Sequence, residues 1–217
     1  MKTPPLIPLG DRCITIRFGE GISVELSQIV MSYANAITGA AIRGVNDVVA
    51  SYASLAVFYE PLSLSFEDLT AQLRSVLDDA SGGRGDAAAE SRLITIPVRY
   101  DGEDMDEVAR RTKLTRGDIA ELHSAREYRV FVVGFVPGWA YLGPLDPRLI
   151  IPRRESPRKQ VPQGSVAIAE NQTGVYPAST PGGWHLIGST TEVMFDATRD
   201  HPALLSVGDR VRFENID

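Results

Sequence analysis

The chain has 217 residues, of which 22 are basic and 28 acidic, giving a formal net charge of −6. This charge argues against a general nucleic-acid binder, which needs a basic face for phosphates. No apolar window is long enough to span a membrane, and the N-terminus lacks the apolar core of a signal peptide. We therefore expect a soluble, cytoplasmic protein that binds neither nucleic acid nor membrane. Cys13 is the single cysteine, so neither a disulfide nor a cysteine-based metal site is expected.

Residues 1–80 show the periodicities of a small α+β domain. The predicted elements are, in chain order, a strand at 14–18, a helix at 26–37, and strands at 45–52 and 55–59. Ser65 followed by Asp68 has the spacing of a capping box and predicts the start of a second helix. We expect helices on one face of a mostly antiparallel sheet.

Residues 81–91 are rich in glycine and small side chains, which cannot bury enough apolar surface to hold one conformation. We interpret them as a linker to a second domain at 92–217. The first predicted elements of that domain are, in chain order, a strand at 94–100, a short helix at 104–112, a helix capped by Thr115, and a strand at 128–133.

The segment 134–188 differs in composition from the rest of the chain. It holds eight of the 14 prolines and eight of the 19 glycines. Proline fixes φ and glycine allows positive φ, so the segment is predicted to form short strands and tight turns rather than helices. Strands are predicted here and beyond at 166–169, 174–176, 186–187, 193–195 and 210–213. Many short strands with frequent turns favour a closed or nearly closed barrel.

Five basic residues lie within twelve positions of this segment, and Glu155 is the only acidic residue among them. The five are Arg148, Arg153, Arg154, Arg158 and Lys159. Arginine forks suit phosphate and carboxylate, so this cluster predicts a local positive charge that could hold an anion. The alternative is a solvated charged loop.

A second candidate feature is the run at 180–185. Pro181, Gly182 and Gly183 can turn sharply and present backbone N–H groups to an anion. Trp184 could offer a stacking face or pack in the core, and His185 could shuttle a proton, contact a ligand or lie on the surface.

Three further side chains are ambiguous. His123 falls on an amphipathic helix, where a lone histidine is usually a hydrogen-bonded structural residue. Tyr141 and Tyr176 each follow turns and could point a hydroxyl into a cleft or simply pack.

Several chemical signatures are absent from the sequence. No His, Cys and carboxylate set has the spacing of a metal site, and neither a Gly-x-Ser-x-Gly elbow nor a dinucleotide fingerprint occurs. We therefore expect no metal and assign no catalytic residue. Any chemistry is predicted to use polar groups from several loops and from another subunit.

A set of short motifs resembles allophanate hydrolase subunit 1. This family also includes the B subunit of bacterial ATP-dependent 5-oxoprolinase and the Kip-type inhibitors of a sporulation histidine kinase. The motifs lie at 134–143, 145–149, 152–154, 161–166, 171–177 and 181–188, with weaker matches at 122–124 and 207–211.

The resemblance implies a cyclophilin-like β-barrel at 92–217, preceded by the α+β domain. It also implies a companion subunit of the allophanate hydrolase subunit 2 type, in a heterodimer or heterotetramer. Opening of 5-oxoproline to glutamate would use ATP with magnesium as a co-substrate and no bound prosthetic group. Kinase inhibition and allophanate processing are the alternatives.

With the resemblance, the residues that we expect to contact the amide substrate or ATP can be stated together. They are His123, Tyr141, Arg154, Arg158, Gln172, Tyr176, Gly182, Gly183, Trp184 and His185.

Overall fold

The structure is a computed structural model that describes residues 4–80 and 91–217. All but the last residue of the predicted linker at 81–91 therefore lies outside the described residues. The chain divides into two compact units, Met1–Glu90 and Ser91–Asp217. Among the helices that the structure describes, none combines the length and hydrophobicity needed to cross a membrane.

The first unit is an antiparallel sheet of four strands with two helices. Its elements are β1 (Leu6–Pro8), β2 (Cys13–Arg17), α1 (Val24–Gly39), β3 (Val45–Ala50), β4 (Ser54–Tyr59) and α2 (Phe66–Asp79), and the strand order is β1-β2-β4-β3. Ile14 and Ile16 of β2 are fully buried in the same cluster as Leu73 of α2. Ser65 caps α2 by accepting the Asp68 N–H at 3.1 Å, which confirms the predicted helix start.

The second unit is built on a sheet of seven strands. Its elements are β5 (Leu93–Val98), α3 (Met105–Thr112), α4 (Arg116–Ser124), β6 (Glu127–Val133), β7 (Ala140–Gly143), a short 3₁₀ helix (Pro147–Leu149), β8 (Arg158–Val161), β9 (Ser165–Ala169), β10 (Gln172–Val175), β11 (Thr180–Gly182), β12 (His185–Ser189) and β13 (Arg210–Asn215). The sheet order is β12-β9-β10-β7-β6-β13-β5, and β8 pairs with β11 in a separate ribbon. The pair β13–β5 is parallel, whereas the other pairs are antiparallel.

This sheet is curled into a half-barrel. Arg99, which follows β5, exchanges backbone hydrogen bonds of 2.9 and 2.8 Å with Ser189 of β12. Since β5 and β12 are the two edge strands of the sheet, these bonds bring its edges together at one point. The curl is consistent with a cyclophilin-like fold.

The strand predicted at 193–195 is wrong. Phe195 forms only an isolated bridge with Ala203. Extending this bridge would require a hydrogen bond donated by the backbone nitrogen of Pro202, next to Ala203. Proline has no N–H, so the strand pairing ends there. The strand predicted at 174–176 is shifted, because β10 spans Gln172–Val175.

The sheet is buried on both faces at β9. Because side chains alternate along a strand, Val166 and Ile168 enter one cluster while Ala167 and Ala169 enter another. The first cluster is shared with α3 and α4. The second lies under the β8–β11 ribbon, whose Val161 belongs to it.

Candidate functional site

Carboxylates pair with the four arginines of the predicted basic cluster. The Arg158 guanidinium donates to both Asp104 oxygens, with Nη1 to Oδ2 at 2.9 Å and Nη2 to Oδ1 at 2.8 Å. Arg154 Nη1 also donates to Asp104 Oδ1, at 2.8 Å. The local positive charge expected from the sequence is therefore opposed in the fold, which brings an acidic residue from 54 positions away to Arg158.

The outer arginines of the cluster are paired as well. Arg148 contacts Asp146 at 2.9 Å, and Arg153 lies 3.5 Å from Glu170. Both of these arginines are more than half exposed, so their pairs are weak compared with those of Asp104.

Asp104 joins the start of α3 to strand β12. Its carboxylate accepts the Leu186 N–H at 2.8 Å, while its own N–H donates to the Leu186 carbonyl at 2.9 Å. Gly102 allows this close approach, since a Cβ there would lie 2.3 Å from the Leu186 oxygen. Burial acts to raise the pKa of Asp104, but Arg158, the Leu186 N–H and Arg154 outweigh it and hold the pKa below its usual range. Asp104 is therefore an anion at neutral pH.

His185 lies next to Leu186 in β12 and is completely buried. Its Nε2 lies 3.0 Å from the Pro152 carbonyl oxygen, which can only accept a hydrogen bond. The neutral ring therefore carries its proton on Nε2 and a lone pair on Nδ1. Nδ1 is buried and has no hydrogen-bond partner among the residues that the structure describes. Burial lowers the pKa of His185, so the neutral form is favoured.

The structure brings Asp104, Glu107 and His185 together, although the sequence shows no metal spacing. One ligand atom of each lies within 4.8 Å of the others. Glu107 is held by Arg111 at 2.8 Å and by Arg154 at 3.3 Å. Sequence reasoning missed this group, although Asp104 and Glu107 are three residues apart at a predicted helix start and so share a face.

His123 is a fully buried core residue whose two ring nitrogens both have partners. Its Nδ1 lies 2.8 Å from the Tyr100 hydroxyl and its Nε2 lies 2.8 Å from Thr173 Oγ1. Thr173 donates its single hydroxyl proton to the Ala167 carbonyl at 3.0 Å, so it accepts from Nε2, and Tyr100 donates to Nδ1. Complete burial lowers the pKa of His123 to about 3, which leaves the ring neutral. These contacts favour the structural interpretation of His123.

The aromatic candidates pack under the β8–β11 ribbon. Trp184 is 6% exposed and meets Trp139 edge to face, with centroids 5.1 Å apart. Tyr176 is also buried against Trp139. Tyr141 is half-buried, with its ring centroid 5.9 Å from that of Trp184. Trp184 is therefore packed in the core, which was one of its two predicted roles.

Gly182 permits close packing, whereas Gly183 makes a backbone hydrogen bond. A Cβ on Gly182 would lie 2.0 Å from the Tyr176 hydroxyl oxygen. Gly183 turns its carbonyl to the Arg154 N–H, at 2.9 Å, which ties the arginine segment to the start of β12. Gln172 is buried in β10, where it pairs with Ala169 of β9.

The chain matches the family described as the carboxyltransferase domain, subdomain C and D, over residues 4–205. It is 38% identical to the B subunit of 5-oxoprolinase from Bacillus subtilis, over 96% of this chain and 91% of that protein. It is 35% identical to the B subunit of 5-oxoprolinase from Haemophilus influenzae, over 96% of both chains.

A solved structure, that of TTHA0988, superposes with a TM-score of 0.84 at 39% identity. The match covers 95% of this chain but only 40% of TTHA0988, so the chain spans less than half of that larger protein. On the family match and the two relatives, the chain belongs to the carboxyltransferase subdomain C and D family, together with the 5-oxoprolinase B subunits.

Proposed function

We propose that this chain is the B subunit of a 5-oxoprolinase, a non-autonomous component that opens 5-oxoproline to glutamate together with companion subunits. The observation that carries the proposal is similarity along nearly the whole chain to two curated B subunits, at 38% and 35% identity over 96% of the chain. Both matches also span at least 91% of the relatives' own length, so the similarity extends across those whole proteins.

The geometry of the candidate residues supports dependence on other subunits. The contact between Thr173 and His123 has the residue types of a nucleophile and its base, but both side chains have no exposed surface and Thr173 donates to a carbonyl. His185 is also buried, and each Asp104 oxygen already accepts two hydrogen bonds. These candidates form no self-contained hydrolytic site.

Phosphoryl transfer fits such a subunit better than direct hydrolysis. A five-membered lactam is a poor electrophile, and phosphorylation of its oxygen by ATP, held with magnesium, creates a leaving group. That step needs positioning and charge neutralisation rather than a nucleophile triad. Arg154 and Arg158 are candidates for charge neutralisation when the assembly rearranges their ion pairs with Asp104.

The companion subunit that we propose is of the allophanate hydrolase subunit 2 type, in a heterodimer or heterotetramer. More than half of TTHA0988 lies outside the part that matches this chain, so in that protein a similar module is joined to further sequence. A separate companion chain in a cytoplasmic assembly is the corresponding arrangement here. In the same proposal the curled sheet of the second unit is a cyclophilin-like barrel, the type of domain that packs against the companion.

Reconstitution tests this function. The chain is purified with its companion subunits, and glutamate release from 5-oxoproline is measured with and without ATP. We expect release only when ATP and all subunits are present, and omission of this chain serves as the matched control. Two outcomes would contradict the proposal. One is equal glutamate release when this chain is omitted, and the other is no glutamate release by a stoichiometric complex that contains it.

The alternatives give different results in parallel assays. Turnover of allophanate in place of 5-oxoproline would assign the chain to allophanate processing. Inhibition of histidine-kinase autophosphorylation by the isolated chain, without any turnover in the complex, would assign it to the regulatory branch.

A further inference from the structure

The starting observation is a buried nitrogen without a partner. His185 has no exposed surface, its Nε2 is held by the Pro152 carbonyl at 3.0 Å, and its Nδ1 makes no hydrogen bond within residues 4–80 and 91–217. A buried acceptor left unpaired is destabilising, so each such group in a native structure requires an explanation. His123 shows that this fold can satisfy both nitrogens of a buried histidine.

Two carboxylates lie beside the same imidazole. A ring nitrogen of His185 and one oxygen each of Asp104 and Glu107 lie within 4.8 Å of one another. Histidines that bind metals usually donate their second ring N–H to a backbone carbonyl or carboxylate, which fixes the tautomer. The bond from His185 to Pro152 has this arrangement.

We propose that Asp104, Glu107 and His185 form a binding site for a divalent transition-metal cation. One imidazole nitrogen with two carboxylate oxygens suits Mn²⁺, Co²⁺ or Zn²⁺, whereas Mg²⁺ and Ca²⁺ prefer oxygen ligands alone. The site goes beyond the proposed function and does not depend on it.

Arg154 is the internal competitor for this site. Its Nη1 bridges the two carboxylates, 2.8 Å from Asp104 Oδ1 and 3.3 Å from Glu107 Oε2. A guanidinium there supplies the positive charge that the two carboxylates need, and an incoming cation replaces that charge.

Release of Arg154 leaves the rest of the group intact. The Arg154 side chain is 25% exposed and its Nε has no hydrogen-bond partner in the described part of the chain, so the guanidinium can move outward to solvent. Arg158 keeps Asp104 oriented through its two hydrogen bonds. Departure of Arg154 frees one acceptor position on Asp104 Oδ1 for the metal.

The test is titration of the untagged, chelator-treated chain with Co²⁺, followed by visible absorption and by calorimetry. We expect one ion per chain, with a shift in absorption that reports nitrogen ligation. His185→Ala and Glu107→Gln are each expected to weaken binding at least about tenfold, by analogy with losses at other metal sites. Arg154→Met is expected to strengthen binding, because the competing cation is gone.

His201→Ala is the matched control, since His201 is exposed and is the only histidine besides His123 and His185. It should leave Co²⁺ affinity unchanged, and an excess of Mg²⁺ of about tenfold should not displace Co²⁺. Circular dichroism and thermal melting establish that each variant is folded. If His185→Ala unfolds, Glu107→Gln and Arg154→Met still decide the outcome.

Two results would overturn the proposal. One is the absence of saturable one-to-one Co²⁺ binding in both the natural chain and Arg154→Met. The other is an affinity that Glu107→Gln and Arg154→Met both leave unchanged. Since the readout is binding by this chain alone, it is independent of whether the assembled complex opens 5-oxoproline.

Discussion

His123 and His185 are both completely buried in the second unit, but their surroundings differ in kind. His123 has a partner on each nitrogen, Tyr100 and Thr173, and its ring stacks on Phe213 with centroids 4.5 Å apart. In the part of the chain that the structure describes, His185 has a partner on Nε2 alone, and it lies among charged groups. The hydrogen-bond network of His123 is complete and lies within an apolar core, whereas that of His185 is incomplete and lies beside ion pairs.

Burial alone therefore does not identify the role of a histidine. A fully satisfied network stabilises one conformation and leaves no group for a ligand. An unsatisfied buried nitrogen next to carboxylates costs stability and therefore requires an explanation. Four substitutions or conditions test this contrast, in order of decreasing effect.

His123→Ala should be the most destabilising change. It opens a cavity in the core and leaves the buried Tyr100 and Thr173 hydroxyls without their partner. We expect the free energy of unfolding to fall by about 3 kcal/mol, measured by urea denaturation. His185→Ala should cost about half as much, because it removes one hydrogen bond. The contrast fails if the two losses are equal or reversed.

Asp104→Asn should come next. It keeps the side-chain shape but removes the charge that holds Arg154 and Arg158, whose side chains are 25% and 16% exposed. Loss of one partner from a mostly buried ion pair predicts a fall of about 2 kcal/mol in the free energy of unfolding. Asp106→Asn is the control, because the Asp106 pair with Arg116 is exposed and its loss should not be measurable. If the two substitutions lowered the free energy of unfolding equally, the ion pairs of Asp104 would stabilise the fold no more than an exposed pair does.

Gly182→Ala tests the packing next to His185. Its Cβ would collide with the Tyr176 ring, whose hydroxyl oxygen would lie 2.0 Å away, so we expect a loss of about 1.5 kcal/mol. Gly183→Ala is the matched control, since the nearest atom to its Cβ would be Pro157 Cγ at an ordinary 3.6 Å. Thermal melting of both variants measures the difference. A Gly183→Ala loss as large as that of Gly182→Ala would contradict the packing argument.

The pH dependence of stability tests the neutral state of His123. Burial lowers its pKa to about 3 in the folded chain, whereas the unfolded chain takes up the proton below the ordinary histidine pKa of 6.5. The unfolded state therefore binds more protons in this window, and stability falls as the pH falls from 6.5 towards 3. As the pH falls from about 6 to 5, His123 should lower the free energy of unfolding by about 1 kcal/mol.

His123→Gln lacks this titration and serves as the comparison. Urea denaturation at each pH should give a flatter dependence for the variant than for the natural chain. If the free energy of unfolding had the same pH dependence in both proteins, His123 would take up a proton in the folded state as it does in the unfolded state. It would then not be the neutral core histidine that we contrast with His185.

Local signals predicted much of the fold. The capping box of Thr115 and Asp118 is present, with Asp118 N–H donating to Thr115 Oγ1 at 3.1 Å and Asp118 Oδ2 accepting from Thr115 N–H at 2.8 Å. Such motifs act within one turn, so a sequence carries them complete. The two-domain division at 81–91 stays a prediction, because residues 81–90 lie outside the described part of the chain.

Sequence patterns were sufficient for the capped starts of α2 and α4, most strands, and the concentration of turns between 134 and 188. The charge and ligand environment of the site arose only on folding. Asp104 meets Arg158 across 54 positions and Leu186 across 82, and pairs this far apart leave no periodic signal. Propensity and capping depend on neighbours in the chain, whereas pairing of charges and satisfaction of buried nitrogens depend on how the sheet curls.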